Sequence, residues 1–206
     1  MPTFLAANPP EFFSVDDIAR SSVGSFPKDW TTYPFQKYKA KQVYRVTEES
    51  GLKFIRAEDK SGLSVVIFKD FDWNIEKYPY LKFKWRAQNI PEGSREDKRE
   101  TNDSACGVYV GFGRFSALKY VWSASLPVGY VWNKKPGQML IITKKSGSQD
   151  LGEWNEVSIN VPKDFQKYYG KKIDRLPSGI AILTDGNAVQ SPSACDYRDF
   201  RISTQP

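Results

Sequence analysis

The chain reads as an all-β protein: a single antiparallel β-sandwich domain spanning residues 1–206, with one or two short helices. Three observations carry that reading. Apolar residues recur with period two through most of the chain, the spacing of strands with one dry and one wet face. About ten such runs are separated by turn residues rather than by helical stretches, as in sandwich proteins. The length of 206 residues, 40% hydrophobic and 26% charged, suits one domain with one core. No internal repeat or linker divides it.

Taken in order, residues 1–25 read as an extended N-terminal arm, with a single turn from Asp16 to Arg20. Strands follow at Gln42 to Thr47, Leu52 to Glu58 and Leu63 to Lys69, with turns at Glu48-Glu-Ser-Gly51 and Lys60-Ser-Gly62. The clearest strand is Leu81 to Gln88. Leu81, Phe83, Trp85 and Ala87 share one face, and Lys82, Lys84, Arg86 and Gln88 the other. Trp85 therefore belongs to the core. The stretch from Pro91 to Asn102 holds seven charged residues and nothing apolar after Pro91, which predicts a solvated loop. Further strands are expected at Cys106 to Arg114, Leu118 to Ser123, Met139 to Lys144, Asn155 to Val161, Gly179 to Thr184 and Tyr197 to Ile202. Lys163 to Tyr169, after Pro162 and before Gly170, predicts a two-turn helix.

Composition excludes several function classes. There is no histidine, which removes Ser-His-Asp and Cys-His nucleophile systems and the His-containing zinc sites. Lys and Arg outnumber Asp and Glu by 30 to 24, and the basic residues read as scattered, a mild preference for acidic partners at most. Nucleic acid is a poor fit, since no clustered arginines with stacking aromatics and no phosphate-binding glycine loop occur. No apolar run reaches the ~18–20 residues of a membrane span. The opening residues lack the pattern of a signal peptide, which fits a mature chain and says nothing about its native address. Cys106 and Cys195 sit in similar contexts, Asp103-Ser-Ala-Cys106 and Pro192-Ser-Ala-Cys195. They form either one disulfide or two separate buried thiols.

The order of segments resembles a bacterial family, the domain of unknown function family 3047. Phe26-Pro-Lys-Asp-Trp30 matches its opening element, and Tyr78-Pro-Tyr-Leu-Lys-Phe-Lys-Trp-Arg86 its aromatic strand. Asn102-Asp-Ser-Ala-Cys-Gly-Val-Tyr-Val-Gly-Phe112, Leu118-Lys-Tyr-Val-Trp122 and Leu151-Gly-Glu-Trp154 follow in register. Gly179-Ile-Ala-Ile-Leu-Thr-Asp185 and Asp196-Tyr-Arg-Asp-Phe200 complete a match over about 180 residues. The resemblance implies an exported (periplasmic, cell-surface or extracellular) bacterial protein with a jelly-roll sandwich of the carbohydrate-binding-module type, and brings no activity with it. The chain departs from the family where an acidic pair is Asn102-Asp103 and where Gly186-Asn-Ala-Val189 follows Asp185.

Two constellations carry binding chemistry. Asn102, Asp103, Asp185, Asn187 and Asp196 lie at strand ends or turns. Their oxygens could bond sugar hydroxyls or hold Ca²⁺, although Asp and Asn make turns everywhere. Tyr120 with Trp122, and Tyr130 with Trp132, place aromatic pairs two apart on strand faces, where rings could stack on a sugar or fill the core. Tyr130 and Trp132 are the pair expected to be exposed. Catalytic residues are not evident: Glu153 with Glu156 and Asp70 with Asp72 are poor candidates for a glycosidase pair. The expectation is a non-catalytic exported module that binds a glycan or another surface ligand. The alternative is a structural subunit binding protein partners in an envelope or appendage assembly. A carboxylate-based hydrolase ranks third.

Overall fold

Residues 11–113 and 116–206 are described by a computed structural model, and they carry twelve strands and two short α-helices. The strands are β1 (Phe12–Ser14), β2 (Tyr44–Glu49), β3 (Leu52–Asp59), β4 (Ile67–Asp70), β5 (Tyr80–Asn89), β6 (Ser104–Phe112), β7 (Ser116–Ser123), β8 (Val131–Lys135), β9 (Met139–Ser146), β10 (Asn155–Asn160), β11 (Gly179–Asp185) and β12 (Ser193–Ser203). The helices are α1 (Lys37–Val43) and α2 (Val161–Tyr169). Part of the expected N-terminal arm, residues 1–10, and Arg114 lie outside the described residues.

The strands form two sheets. The first runs β10-β5-β12-β3-β2, with β1 beside β12, and the second runs β4-β11-β6-β7-β9-β8. Every pairing is antiparallel except β7 with β9. The sheets pack face to face as an antiparallel jelly-roll sandwich, because each strand alternates apolar and polar residues. Phe83, Trp85, Tyr197 and Phe200 come inward from the first sheet and Cys106, Val108, Tyr120, Trp122 and Ile182 from the second, all buried. The Trp85 and Trp122 rings meet at 6.1 Å between centroids. Cys106 and Cys195 are joined, their Cα atoms 5.4 Å apart, so one covalent bond ties β6 of the second sheet to β12 of the first.

Differences from the sequence reading have local causes. The expected strand at Leu63 starts only at Ile67 because the Asp59 carboxylate accepts the backbone N–H groups of Leu63 (2.9 Å) and Ser64 (2.8 Å). That bends the chain, and Ser64 takes φ +47°. The Pro91–Asn102 stretch is a loop but not a solvated one: Ser94, Glu96 and Asn102 are buried, because it folds back onto the second sheet. Helix α1 was not foreseen, since it buries only Ala40 and Val43 and has no side-chain cap. Helix α2 begins two residues before the expected start, capped by Asn160, which accepts from Lys163 N at 3.0 Å, and ends at Gly170 with φ +69°.

The arm is fixed by an unusual acid. The half-buried Asp16 accepts the Phe200 N–H at 3.1 Å. Burial, with help from neighbouring Asp199 and Asp17, pushes its carboxyl up from 3.8 to about 7. A raised carboxyl stabilises the fold fully below the unfolded value, near 4, and that contribution is lost as pH rises to about 7. Burial also raises Glu96 and Asp185, with the same sign. Urea melts across this range should show stability falling towards pH 7, with a visibly shallower slope in Asp16→Asn. An unchanged slope in the variant would contradict the assignment.

Candidate functional site

The outer face of the second sheet carries a row of aromatic and ionisable groups. Strand registers put Phe68 opposite Ala181, Ala181 opposite Tyr109 and Tyr109 opposite Lys119. Lys119 in turn faces Ile141, and Ile141 faces Trp132. These six residues form one row across the strands, all on the same side. At its β4 end the row opens into a groove of about 490 Å³, lined by Tyr33, Phe68, Tyr109, Met139 and Leu183 with Ser64, Asp70 and Ser178. Gly179 and Gly111 form part of its floor. Gly179 has φ +145°, and a Cβ there would lie 2.2 Å from the Lys69 carbonyl oxygen, so only glycine fits. The Tyr33 ring is held against Phe68, 5.6 Å between centroids, and stacks on Phe35 at 5.9 Å.

Beyond Tyr109 the row becomes a buried ionic cluster. Lys119 is 2% exposed. Its side chain crosses Gly107, where a Cβ would come within 2.8 Å of Lys119 Cε. Burial opposes the ammonium charge, but Tyr109, Asp185 and Glu96 reverse that and hold the lysine above its ordinary range. Burial raises the Tyr109 phenol as well. It also raises Asp185, against the pull of Lys119, with Asp103 adding to the rise; Asp185 accepts the Ser104 N–H at 3.2 Å. Burial raises Glu96, which accepts from the Ser123 hydroxyl. Lys134 is lowered by burial and by repulsion from Lys119, and it donates to Asn102 Oδ1. Asn102 Nδ2 donates to the Glu96 carbonyl, and Tyr130 donates to Asp97 Oδ2 at 3.1 Å. These contacts pin the 91–103 loop against the sheet.

The sequence candidates are thus divided. Asn102, Asp103 and Asp185 come together, with Lys119, Lys134 and Glu96 between them. Asp103 accepts the Val189 N–H at 2.8 Å, and Asn187 is exposed on the adjoining loop, against Gly62. Asp196 lies on the opposite, first sheet, where it accepts from Arg56, Arg86 and Gln88. Tyr120 and Trp122 are core side chains, since alternation turns them inward from β7, and their rings are out of reach of a dissolved ligand. Tyr130 and Trp132, expected to be exposed, are half-buried at the β8 edge. The carboxylates have lysines among them, which suits ion pairing better than Ca²⁺, and among the described residues no cluster is arranged to hold a metal. Tyr33, Phe68, Tyr109 and Lys119 were not singled out from the sequence. Tyr109 had a readable signal, being the residue out of phase with Val108 and Val110.

Fold and groove define a two-sheet, mainly antiparallel sandwich with an aromatic-lined groove on the outer face of its second sheet. The chain belongs to the family described as "Protein of unknown function (DUF3047)", which it matches over residues 28–201. No curated protein matches it. Among solved structures it is similar to the agarase AgWH50C (11% identity, TM-score 0.43), covering 96% of this chain but 25% of the agarase, so it spans a quarter of that protein's length. It is also similar to the xyloglucanase domain of NopAA from Sinorhizobium fredii (8% identity, TM-score 0.46, 85% of this chain and 98% of that one). A third is the non-crystalline cellulose specific carbohydrate-binding module CBM28 (14% identity, TM-score 0.41, 85% and 87%).

Proposed function

We propose that the protein is a non-catalytic glycan-binding module whose ligand lies in the groove on the outer face of the second sheet. The observation that carries this is the open groove lined by Tyr33, Phe68 and Tyr109 with Ser64, Asp70 and Ser178 beside them. Sugar rings present C–H faces that stack on aromatic planes, while a few polar groups fix the hydroxyls. Binding fits better than hydrolysis because Asp70 is the one carboxylate lining the groove, and a glycosidase needs two flanking the bond. The buried Cys106–Cys195 bond supports an exported location, since disulfides persist in oxidising compartments.

A glycan array screen followed by calorimetry tests the reading. Tyr109→Ala and Phe68→Ala should each weaken the best ligand roughly ten-fold, the size of one lost aromatic contact with its buried area. Trp154→Ala, on the other sheet, should leave affinity unchanged. An array that stays blank at high protein concentration would count against the whole reading.

A further inference from the structure

The groove does not end at β4. Thr31 pairs with Phe68 and carries the sheet one step further, and Tyr33 lines the groove from that added edge. The chain then turns through Pro34–Gln36 directly into α1. Two of the most exposed aromatic side chains in the protein sit here, Phe35 and Tyr38 at 80% each, next to Tyr33 at 50%. Lysines are interleaved with them. Between Pro27 and Thr47 there are five cations (Lys28, Lys37, Lys39, Lys41, Arg45) and one acid, Asp29, a net of +4 out of the chain's +6. Lys37, Lys39 and Lys41 are exposed, and among the described residues none has a carboxylate within 4.0 Å. Asp29 is taken by Lys69 and Arg45 by Glu58.

Unpaired exposed ammonium groups at one end of a binding groove repel each other and attract anions over about a Debye length, ~10 Å at moderate salt. A neutral ligand gains nothing from them. We infer that the ligand class of the groove is an acidic polysaccharide, a uronate or sulfated polymer, its rings lying on Tyr109, Phe68 and Tyr33 and its charged groups reaching Lys37 and Lys41, which lie four residues apart on one face of α1. This rests on the glycan-binding reading above and adds the ligand's charge. Phe35 stacks on Tyr33, and Lys37 and Lys41 line an adjoining pocket with Thr31 and Thr32, the two residues before Tyr33.

The test uses matched probes: polygalacturonate against its fully methyl-esterified form, and dextran sulfate against dextran, in affinity gels at low and raised salt. The acidic member of at least one pair should bind roughly ten-fold or more tightly than its neutral partner, with the difference shrinking as salt rises. Lys37→Gln/Lys41→Gln should erase the difference, and Lys39→Gln alone should leave it. The three sites are exposed and glutamine is close to lysine in helix propensity, so both variants keep the fold. Tyr33→Ala and Tyr109→Ala should weaken binding of the acidic member as well. Equal binding of acidic and neutral members would overturn the inference and leave the groove's glycan role standing. Binding of neither would overturn the inference, and a blank glycan array as well would overturn the glycan-binding reading with it. Loss in the double lysine variant with full binding in both tyrosine variants would mean simple ion exchange by α1 and overturn the inference too.

Discussion

Replacing Cys106 and Cys195 together by alanine should destabilise the protein by about 4–5 kcal/mol. The bond closes a loop with a sequence separation of 89 residues, and in the chain-entropy account a loop of that size restricts the unfolded chain heavily. Both cysteines are fully buried between the sheets, so the loss also leaves a small defect in the core. The consequence reaches the groove. Cys195 is two residues from Tyr197, whose hydroxyl accepts the Gly107 N–H (3.1 Å) and donates to the Leu183 carbonyl (3.2 Å). Gly107 supports Lys119, and Leu183 lines the groove. Urea melts with and without reductant, and of the double variant, measure the effect. A loss below ~1 kcal/mol would show that the reduced chain keeps the same restriction by other means. Alkylation should find no free thiol before reduction and one at each cysteine after it.

Asp196→Ala should cost about 3 kcal/mol, the second largest single effect. The carboxylate is completely buried on the outer side of the first sheet. It accepts from Arg56 Nε (2.8 Å) and Nη2 (3.0 Å), Arg86 Nε (2.9 Å) and Gln88 Nε2 (2.8 Å). Removing it leaves two guanidinium groups with side chains only 22% and 11% exposed. Their remaining exposure and their contacts with Glu49 keep the cost below that of a fully buried broken pair. Arg86 also lies over the rings of Trp154 (4.6 Å) and Phe54 (5.1 Å), so loss of the anion should loosen that aromatic surface. Chemical denaturation of Asp196→Ala and Asp196→Asn gives the numbers, and the asparagine should lose less because it still accepts hydrogen bonds. A ligand-binding role for Asp196 would instead show as lost affinity at unchanged stability.

Much of the fold was legible because alternation is a local signal. Leu81 to Gln88 alternates without a break, and β5 spans it with one residue added at each end. The elements that escaped notice lack that signal. Helix α1 buries two side chains, β8 is a short edge strand, and β1 is three residues long. The candidate site was less legible, because it depends on which strands become neighbours. Asp103 and Asp185 could be suspected together from their places at strand ends. Asp196 could not be separated from them, since nothing local tells which of two sheets a strand will join. Trp122 and Tyr109 make the same point in reverse. Both are strand aromatics, and only the phase of each within its strand sends one to the core and the other to the groove. The cluster of lysines from Lys28 to Lys41 was visible in the sequence, but averaged over the chain the charge looked scattered.

The central claim is that ligand meets the protein on the outer face of the second sheet. Titrating isotope-labelled protein with an oligosaccharide that binds, and mapping the amide and aromatic shift changes, tests this most directly. The account predicts the largest changes at Tyr33, Phe68, Tyr109 and Ser178, with little movement at Trp154 and Arg86. Changes centred on Trp154, Arg86 and Arg198 of the first sheet, with Tyr109 silent, would contradict it.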